Sequence, residues 1–412
     1  MARREHNYNS GRIHRAGQEK PGRHTKKTPP AEPAAAPYRP AAAKPRKKPS
    51  KVLIALLLVL ALGVGAFALL FGFLSGFFQT GLLGSIDNYK PKEYSKKDVV
   101  NILIVGIDNE EGRDYGAGLG LTDMILYANY DLVNNKLNLL QIPRDSYVGE
   151  EVPTGGTGKI NAVLISGEDS RNPINNLVGV IENQFELPVD HYIAMDMDAL
   201  KTIVDTFGGL MVYVPQEMSN EGSYLPQGWQ WLDGNAAEFF VRNRKGPGFE
   251  QADLARLDNQ RHFYSALFRR FMNLTPTDIV KLLPVFEHYC NTDIGMKDIF
   301  DLAYSGLNLQ PENVMFCKAP GATDPGLDPS GQGRSLYFID KFGRGTPEDP
   351  GVANLLNDYF RSYGQPVPAE QLGLPDIQIP ESLPLYSPNV QVMSSVQEGE
   401  GGAEVDVEPH FA

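Results

Sequence analysis

Asp108, Asp123, Arg144 and Asp145 stand at the ends of apolar runs, and together they could hold a divalent cation and a phosphate. Carboxylate oxygens suit Mg²⁺ or Mn²⁺, and a guanidinium offers a phosphate two coplanar donors. A second set follows. In Val241-Arg242-Asn243-Arg244 two arginines lie two residues apart, so in extended chain they point to the same side. Asp253, Arg256 and Gln260 then share a helical stripe with Tyr264, Leu267 and Phe271, in steps of three and four. Charge facing an interior is costly unless paired. Three polar members on an otherwise apolar stripe predict a pocket wall, and with Arg144 the arginines predict an anion clamp.

The elements that must position these groups are legible around the first set. Runs 100–107, 124–130 and 136–142 are rich in Ile, Leu and Val with little alternation, as in strands buried on both faces. The link DLVNNK is short and polar, which predicts an antiparallel hairpin. If the longer, Gly-rich first link also joins antiparallel neighbours, one sheet edge carries Asp108, Asp123, Arg144 and Asp145. Removing either aspartate from such an acidic edge is expected to relieve repulsion in the metal-free protein.

Further on, Ile174, Leu177, Val178, Ile181 and Phe185 have helical spacing, as do Met197, Leu200, Ile203, Val204 and Phe207. Gly208-Gly209 should stop the second helix. Segments 189–194 and 210–214 read as strands, 235–241 as a helix and 251–273 as a longer one. The mixture predicts an α/β domain with a mixed central β-sheet layered between helices.

The flanks differ sharply in charge. Residues 1–51 carry 14 Lys and Arg against three Glu, and the remainder carries 24 basic against 47 acidic residues. Residues 52–78 contain no charge, and 27 such positions exceed the ~20 helical residues that a bilayer core needs. This predicts one N-terminal transmembrane helix, with residues 1–51 a basic disordered tail in the cytoplasm and everything past about residue 80 outside. Residues 79–97 read as a stalk, 98–365 as the folded domain and 366–412 as an acidic disordered tail, since no Lys or Arg follows Arg361. The basic tail has no apolar period from which to build a DNA-binding domain, so no nucleic-acid partner is expected. Cys290 and Cys317 are the only cysteines, and both a disulfide and two buried thiols fit an extracytoplasmic domain.

Other motifs fail. GGTGKI at 155–160 lacks the Ser or Thr of a P-loop and has Pro153 where its first Gly belongs. Neither H-E-x-x-H nor G-x-S-x-G occurs, so zinc and serine-hydrolase sites are not expected.

Taken together, NILIVGID, TDMILY, LLQIPRDSYV, GKINAV, DTFGGLMVYVP, LDGNAAEFFVRNR and D-x-x-R-x-x-x-Q, over roughly residues 98–345, resemble the LytR–CpsA–Psr family of membrane-anchored envelope proteins. The resemblance implies a metal-dependent phosphotransferase that moves a glycopolymer from a polyprenyl-pyrophosphate carrier onto peptidoglycan. It implies that Asp108 and Asp123 hold Mg²⁺ or Mn²⁺, and that Arg144, Arg242, Arg244, Arg256 and Gln260 grip the pyrophosphate with Asp253 orienting them. Lys159 of GKINAV counts among the substrate-binding residues, and an apolar tunnel between sheet and helices would take the prenyl chain. Either Asp145 or Asp253 would serve as the base. Leu121 and Asn259 stand where many members have Arg, with Arg113 and Arg261 as possible replacements. The competing functions are a membrane-anchored sensor or transcription attenuator, and a lipid-pyrophosphate hydrolase.

Overall fold

The computed structural model describes residues 99–108, 120–220, 222–243, 252–274, 276–346, 349–361, 364–385 and 389–400, without the side chains of 252–255 and 276–281. The expected membrane helix at 52–78 lies outside these residues. Among the described ones, no helix is long and apolar enough to cross a membrane.

Strands β1 (Val99–Asp108), β2 (Leu121–Asp131) and β3 (Lys136–Gln141) form an antiparallel meander. The β2–β3 turn closes because Asn135 takes a left-handed φ of 48° and Asp131 Oδ1 accepts from the Val133 and Asn134 amides, each at 3.0 Å. A single turn α1 (Val163–Ser166) and helix α2 (Ile174–Gln184) lead to β4 (His191–Asp196), which runs parallel to β1. Asp196 then caps α3 (Met197–Thr206) by accepting from the Ala199 amide at 2.9 Å. Gly208 and Gly209, with φ of 76° and 99°, end that helix as expected. At Gly209 a Cβ would meet Trp231 Nε1 at 2.4 Å, so the turn requires glycine twice over.

A ribbon of β5 (Leu210–Val214) and β8 (Gly228–Leu232) encloses the small hairpin β6 (Met218–Asn220)–β7 (Ser223–Leu225). Helices α4 (Gly234–Arg242), α5 (Ala252–Met272) and α6 (Pro276–Tyr289) follow, then β9 (Cys290–Thr292) and α7 (Met296–Gly306). The chain returns to the sheet with β10 (Val314–Lys318), parallel to β3, before the short pair β11 (Gly321–Thr323) and β12 (Tyr337–Ile339). Helix α8 (Gly351–Tyr359), strand β13 (Val390–Val392) and helix α9 (Met393–Gly399) complete it.

The main sheet has the order β13-β10-β3-β2-β1-β4-β9 and mixes parallel with antiparallel pairs. Alternate side chains go to opposite faces. Leu103, Val105, Tyr127 and Leu140 pack on one face against α2 and α8. Ile102, Leu126, Leu139 and Phe316 pack on the other, towards α5, α7 and α9. Helices therefore cover both faces, in agreement with the layered fold read from the sequence.

One expectation is corrected here. Among the described residues from 366 to 400 the chain does not leave the fold: Leu372 and Leu374 join the core, β13 pairs with β10, and α9 buries Met393 and Val396. Glu400 is fully buried, with Oε1 2.6 Å from His262 Nδ1 and Oε2 2.5 Å from Arg269 Nη1 on α5. The lack of basic residues hid short apolar segments that dock by pairing with an edge strand. Of the two readings left open for the cysteines, the buried thiols hold: Cys290 and Cys317 are free and buried. They sit on β9 and β10, five strand spacings or roughly 24 Å apart, far beyond disulfide reach. Burial pushes the Cys290 thiol up to about 11 and the Cys317 thiol up to about 12.

Candidate functional site

The meander brings the end of β1, the start of β2 and the segment after β3 to one edge, as the strand pattern predicted. In the β1–β2 ladder Gly106 pairs with Met124 and Ile107 with Thr122, so Asp123 is the extra residue of a β-bulge. A bulge bends its strand and re-aims the side chain it carries. Asp123 and Asp108 thereby line the same pocket, closed by Arg242 at the end of α4 and by Arg256 and Gln260 on α5.

Charges in this pocket are paired in a definite pattern. Arg144 Nη1 donates to both carboxylate oxygens of Asp123, at 2.6 and 2.7 Å, and Arg256 Nη1 lies 3.9 Å from Asp123 Oδ2. Arg242 Nη2 donates to Asp108 Oδ1 at 3.4 Å, while its Nη1 donates to Glu238 Oε1 at 2.9 Å, one helical turn back. The edge is thus not a crowded acidic one. Arginines neutralise both carboxylates, and the expectation that removing an aspartate relieves repulsion is reversed for Asp123.

Next to the pocket, GKINAV is stitched to PRDSY: Ile160 N donates to Ser146 O at 2.9 Å and Asn161 N to Arg144 O at 3.1 Å. This sets Lys159 Nζ 2.9 Å from Asp145 Oδ1, with Arg144 Nε 4.0 Å from the same oxygen. Lys159 and Asp145 therefore form a paired outer rim.

From Arg256 onward, the anticipated stripe of α5 faces inward. Arg256 and Gln260 line the polar pocket, Leu267 and Phe271 a large apolar cavity, and Tyr264 lines both. That cavity holds about 390 Å³ between the sheet and α3, α5, α6, α7 and α9. Met124, Met197, Leu200 and Phe263 also line both spaces, so the polar pocket adjoins the apolar one.

Three readings of individual residues change. Arg242 is the last residue of α4, not part of an extended arginine pair: Asp233 caps the helix at Ala236 N, 2.9 Å, and the helical turn reaches Arg242 before Asn243 turns extended. Arg244 and Arg113 lie outside the described residues, and so does the side chain of Asp253. Arg261 is buried and turns away, its Nε donating to Gln141 Oε1 at 3.1 Å and Nη1 to Gln391 Oε1 at 3.3 Å. It does not stand in for an arginine at Asn259. Sequence reasoning missed Glu238, although its i, i+4 spacing to Arg242 was a usable signal, and it missed Tyr264 as more than a core residue.

The donor chemistry of the pocket fits a hard cation. Its carboxylates are Asp108 and Asp123, and Mg²⁺ is usually held by one or two carboxylates with substrate phosphates and water completing the shell. Among the described residues no three His, Cys, Asp or Glu side chains gather to hold a metal without such help.

Comparison with known proteins agrees with this architecture. The polyisoprenyl-teichoic acid–peptidoglycan teichoic acid transferase TagU of Bacillus subtilis is 26% identical over 265 residues, which is 62% of this chain and 82% of that protein. The TagU of Oceanobacillus iheyensis is 31% identical over 205 residues, 49% of this chain and 61% of its own length. A crystal structure of protein gbs0355 from Streptococcus agalactiae shares the fold, with a TM-score of 0.51 and 19% identity over 64% of this chain and 86% of that one. The LytR_cpsA_psr family model matches residues 83–342, well over half of the sequence, and the chain belongs to the LytR–CpsA–Psr family.

Proposed function

We propose that the protein transfers a glycopolymer from a polyprenyl-pyrophosphate carrier to a hydroxyl of peptidoglycan, leaving a phosphodiester link. The observation that carries this reading is the junction of an arginine-lined polar pocket with a 390 Å³ apolar cavity. One ligand with two phosphates on a long apolar tail would fill both. The transferase names of the TagU relatives support the same chemistry and point to a teichoic-acid-type polymer.

In this reaction the acceptor hydroxyl oxygen attacks the polymer-bearing phosphorus. The bond from that phosphorus to the bridging oxygen breaks, and polyprenyl monophosphate leaves. Phosphoryl transfer asks chiefly for positioning and neutralisation of charge. Arg144, Arg256 and Arg242 face the two carboxylates now and would turn to the incoming phosphates, aided by Arg244. Gln260 Nε2 already donates to Val241 O at 3.4 Å, so its part is to brace the α4–α5 wall. Asp108 and Asp123 would hold Mg²⁺ or Mn²⁺, which supplies further charge neutralisation when bound. Asp145 commits its carboxylate to Lys159, so its work is to fix Lys159 and Arg144 at the rim. The proton of the attacking hydroxyl then falls to Asp253, in the first turn of α5.

The reading also places residues 52–78 in the cell membrane with the folded domain outside. Protease added to intact cells should then digest that domain and spare the first fifty residues; protection of the domain would overturn the topology. For the chemistry, the purified full-length chain is incubated with a polyprenyl-pyrophosphate oligosaccharide, Mg²⁺ and peptidoglycan fragments. Mass spectrometry should find the oligosaccharide on peptidoglycan through a phosphodiester, with polyprenyl monophosphate released. Release of a free oligosaccharide phosphate without any linked product would make the protein a hydrolase instead.

A further inference from the structure

The apolar cavity is lined by hydrocarbon almost throughout. Two of its lining side chains end in polar groups, Asp196 and Tyr264. Asp196 is spent on capping α3 through the Ala199 amide. Tyr264 is not explained in that way. It belongs to the cavity and to the polar pocket at once, and so stands where the two meet.

Its direction follows from the helix. In an α-helix side chains lean back toward the N-terminus, here toward the turn that carries Gln260, and the ring packs against Phe316 of β10 with Arg256 close enough to act on its hydroxyl electrostatically. The surroundings of its oxygen are set by Gln141 on β3. Arg261 Nε donates to Gln141 Oε1 at 3.1 Å, which fixes the amide orientation. Gln141 Nε2 is thereby turned to Leu257 O, at 3.2 Å, and to the Tyr264 oxygen beside it. With a donor facing its oxygen, the phenol keeps its own hydrogen for an acceptor in the pocket. Burial raises its pKa well above that of an ordinary phenol, against the pull of Arg256 and Gln141, so it remains a donor through the neutral and alkaline range.

We infer that Tyr264 reads the lipid-borne phosphate: its hydroxyl donates to the phosphate group that adjoins the prenyl chain, while the arginines hold the outer one. This rests on the lipid-pyrophosphate reading above and goes further, because it separates the two phosphates. The inner phosphate stays on the lipid after transfer. Tyr264 should therefore matter equally for the pyrophosphate carrier and for the monophosphate that leaves.

The test uses the full-length chain in detergent and its Tyr264→Phe variant, with native mass spectrometry reading the binding of three lipids of equal chain length. These are polyprenyl pyrophosphate, polyprenyl monophosphate and the polyprenol. The variant should lose about tenfold in affinity, ~1.4 kcal/mol, for both phosphate lipids and keep the polyprenol within twofold. Equal loss on all three lipids would make Tyr264 a packing residue and overturn the inference. So would phosphate-lipid affinities within twofold of the parent. If the parent itself prefers neither phosphate lipid over polyprenol, the lipid-pyrophosphate reading fails, and this inference fails with it.

Discussion

Replacing Asp123 by Ala should destabilise the ligand-free protein more than any other single change in the polar pocket. Asp123 takes two short bonds from Arg144 and lies 3.9 Å from Arg256. The side chains of Arg144 and Arg256 are 13% and 3% exposed, so the variant would leave two largely buried cations facing a hole. Removing one partner of a buried pair costs ~3–5 kcal/mol. The 15% exposure of Asp123 itself puts this case at the low end, about 3 kcal/mol. In a domain of this size ~1 kcal/mol moves the melting temperature by ~2–3 °C, so a fall of roughly 6–9 °C is expected. Asp108→Ala provides the contrast. Its partner Arg242 is 3.4 Å away and 39% exposed, a pair worth ~0–1 kcal/mol and a shift of about 3 °C at most. Inorganic pyrophosphate should then restore more of the loss in Asp123→Ala than it adds to the parent, since it returns negative charge beside Arg144 and Arg256. The assay is thermal unfolding of parent and both variants, with and without pyrophosphate. An Asp123→Ala melting temperature within about 1 °C of the parent, or a larger fall for Asp108→Ala, would refute the pairing pattern on which the site is built.

Leu267→Trp should fill part of the 390 Å³ cavity and cut the binding of polyprenol and phosphate lipids alike, with little change in melting temperature; undiminished polyprenol binding would move the lipid elsewhere. Glu400→Ala should strand His262 and Arg269 against a buried gap and cost about 3 kcal/mol, and a melting shift under ~1 °C would show that the C-terminal segment is not docked. Hydrogen bonding to Asp293 at 3.2 Å raises the His191 pKa. A raised histidine adds stability below its free value near ~6.5, and that stability is lost as pH rises through the folded value. His191→Gln should thus lower the denaturant midpoint near pH ~5.5 and hardly change it near ~8.5; equal losses at both would show that the ion pair is not the cause.

What could be read from the chain followed from local pattern. The runs ending in Asp108 and starting before Met124 are strands because nothing interrupts their apolar character, and the polar DLVNNK link forces the hairpin that sets their edge. Gly208-Gly209 marked the end of α3 through backbone conformation alone. The bulge at Asp123 was not legible, because it is a property of the β1–β2 register, and no residue type announces it. Arg242 was misplaced for the opposite reason. The helix boundary moved by a single residue, and that changed an extended arginine pair into a helix-terminal arginine tied to Glu238. Strand β13 escaped because Val390–Val392 is too short to show a period, and its partner β10 lies more than seventy residues earlier. The apolar cavity combines residues from the sheet and five helices, and its volume belongs to their packing and to no one stretch.

A structure of the full-length chain with a bound polyprenyl pyrophosphate would test the central claim most directly. Both phosphates should lie in the pocket of Asp108, Asp123, Arg144, Arg242 and Arg256, with the prenyl chain running past Tyr264 into the cavity between the sheet and α5. Phosphates bound at any other surface, or a prenyl chain lying outside that cavity, would contradict it.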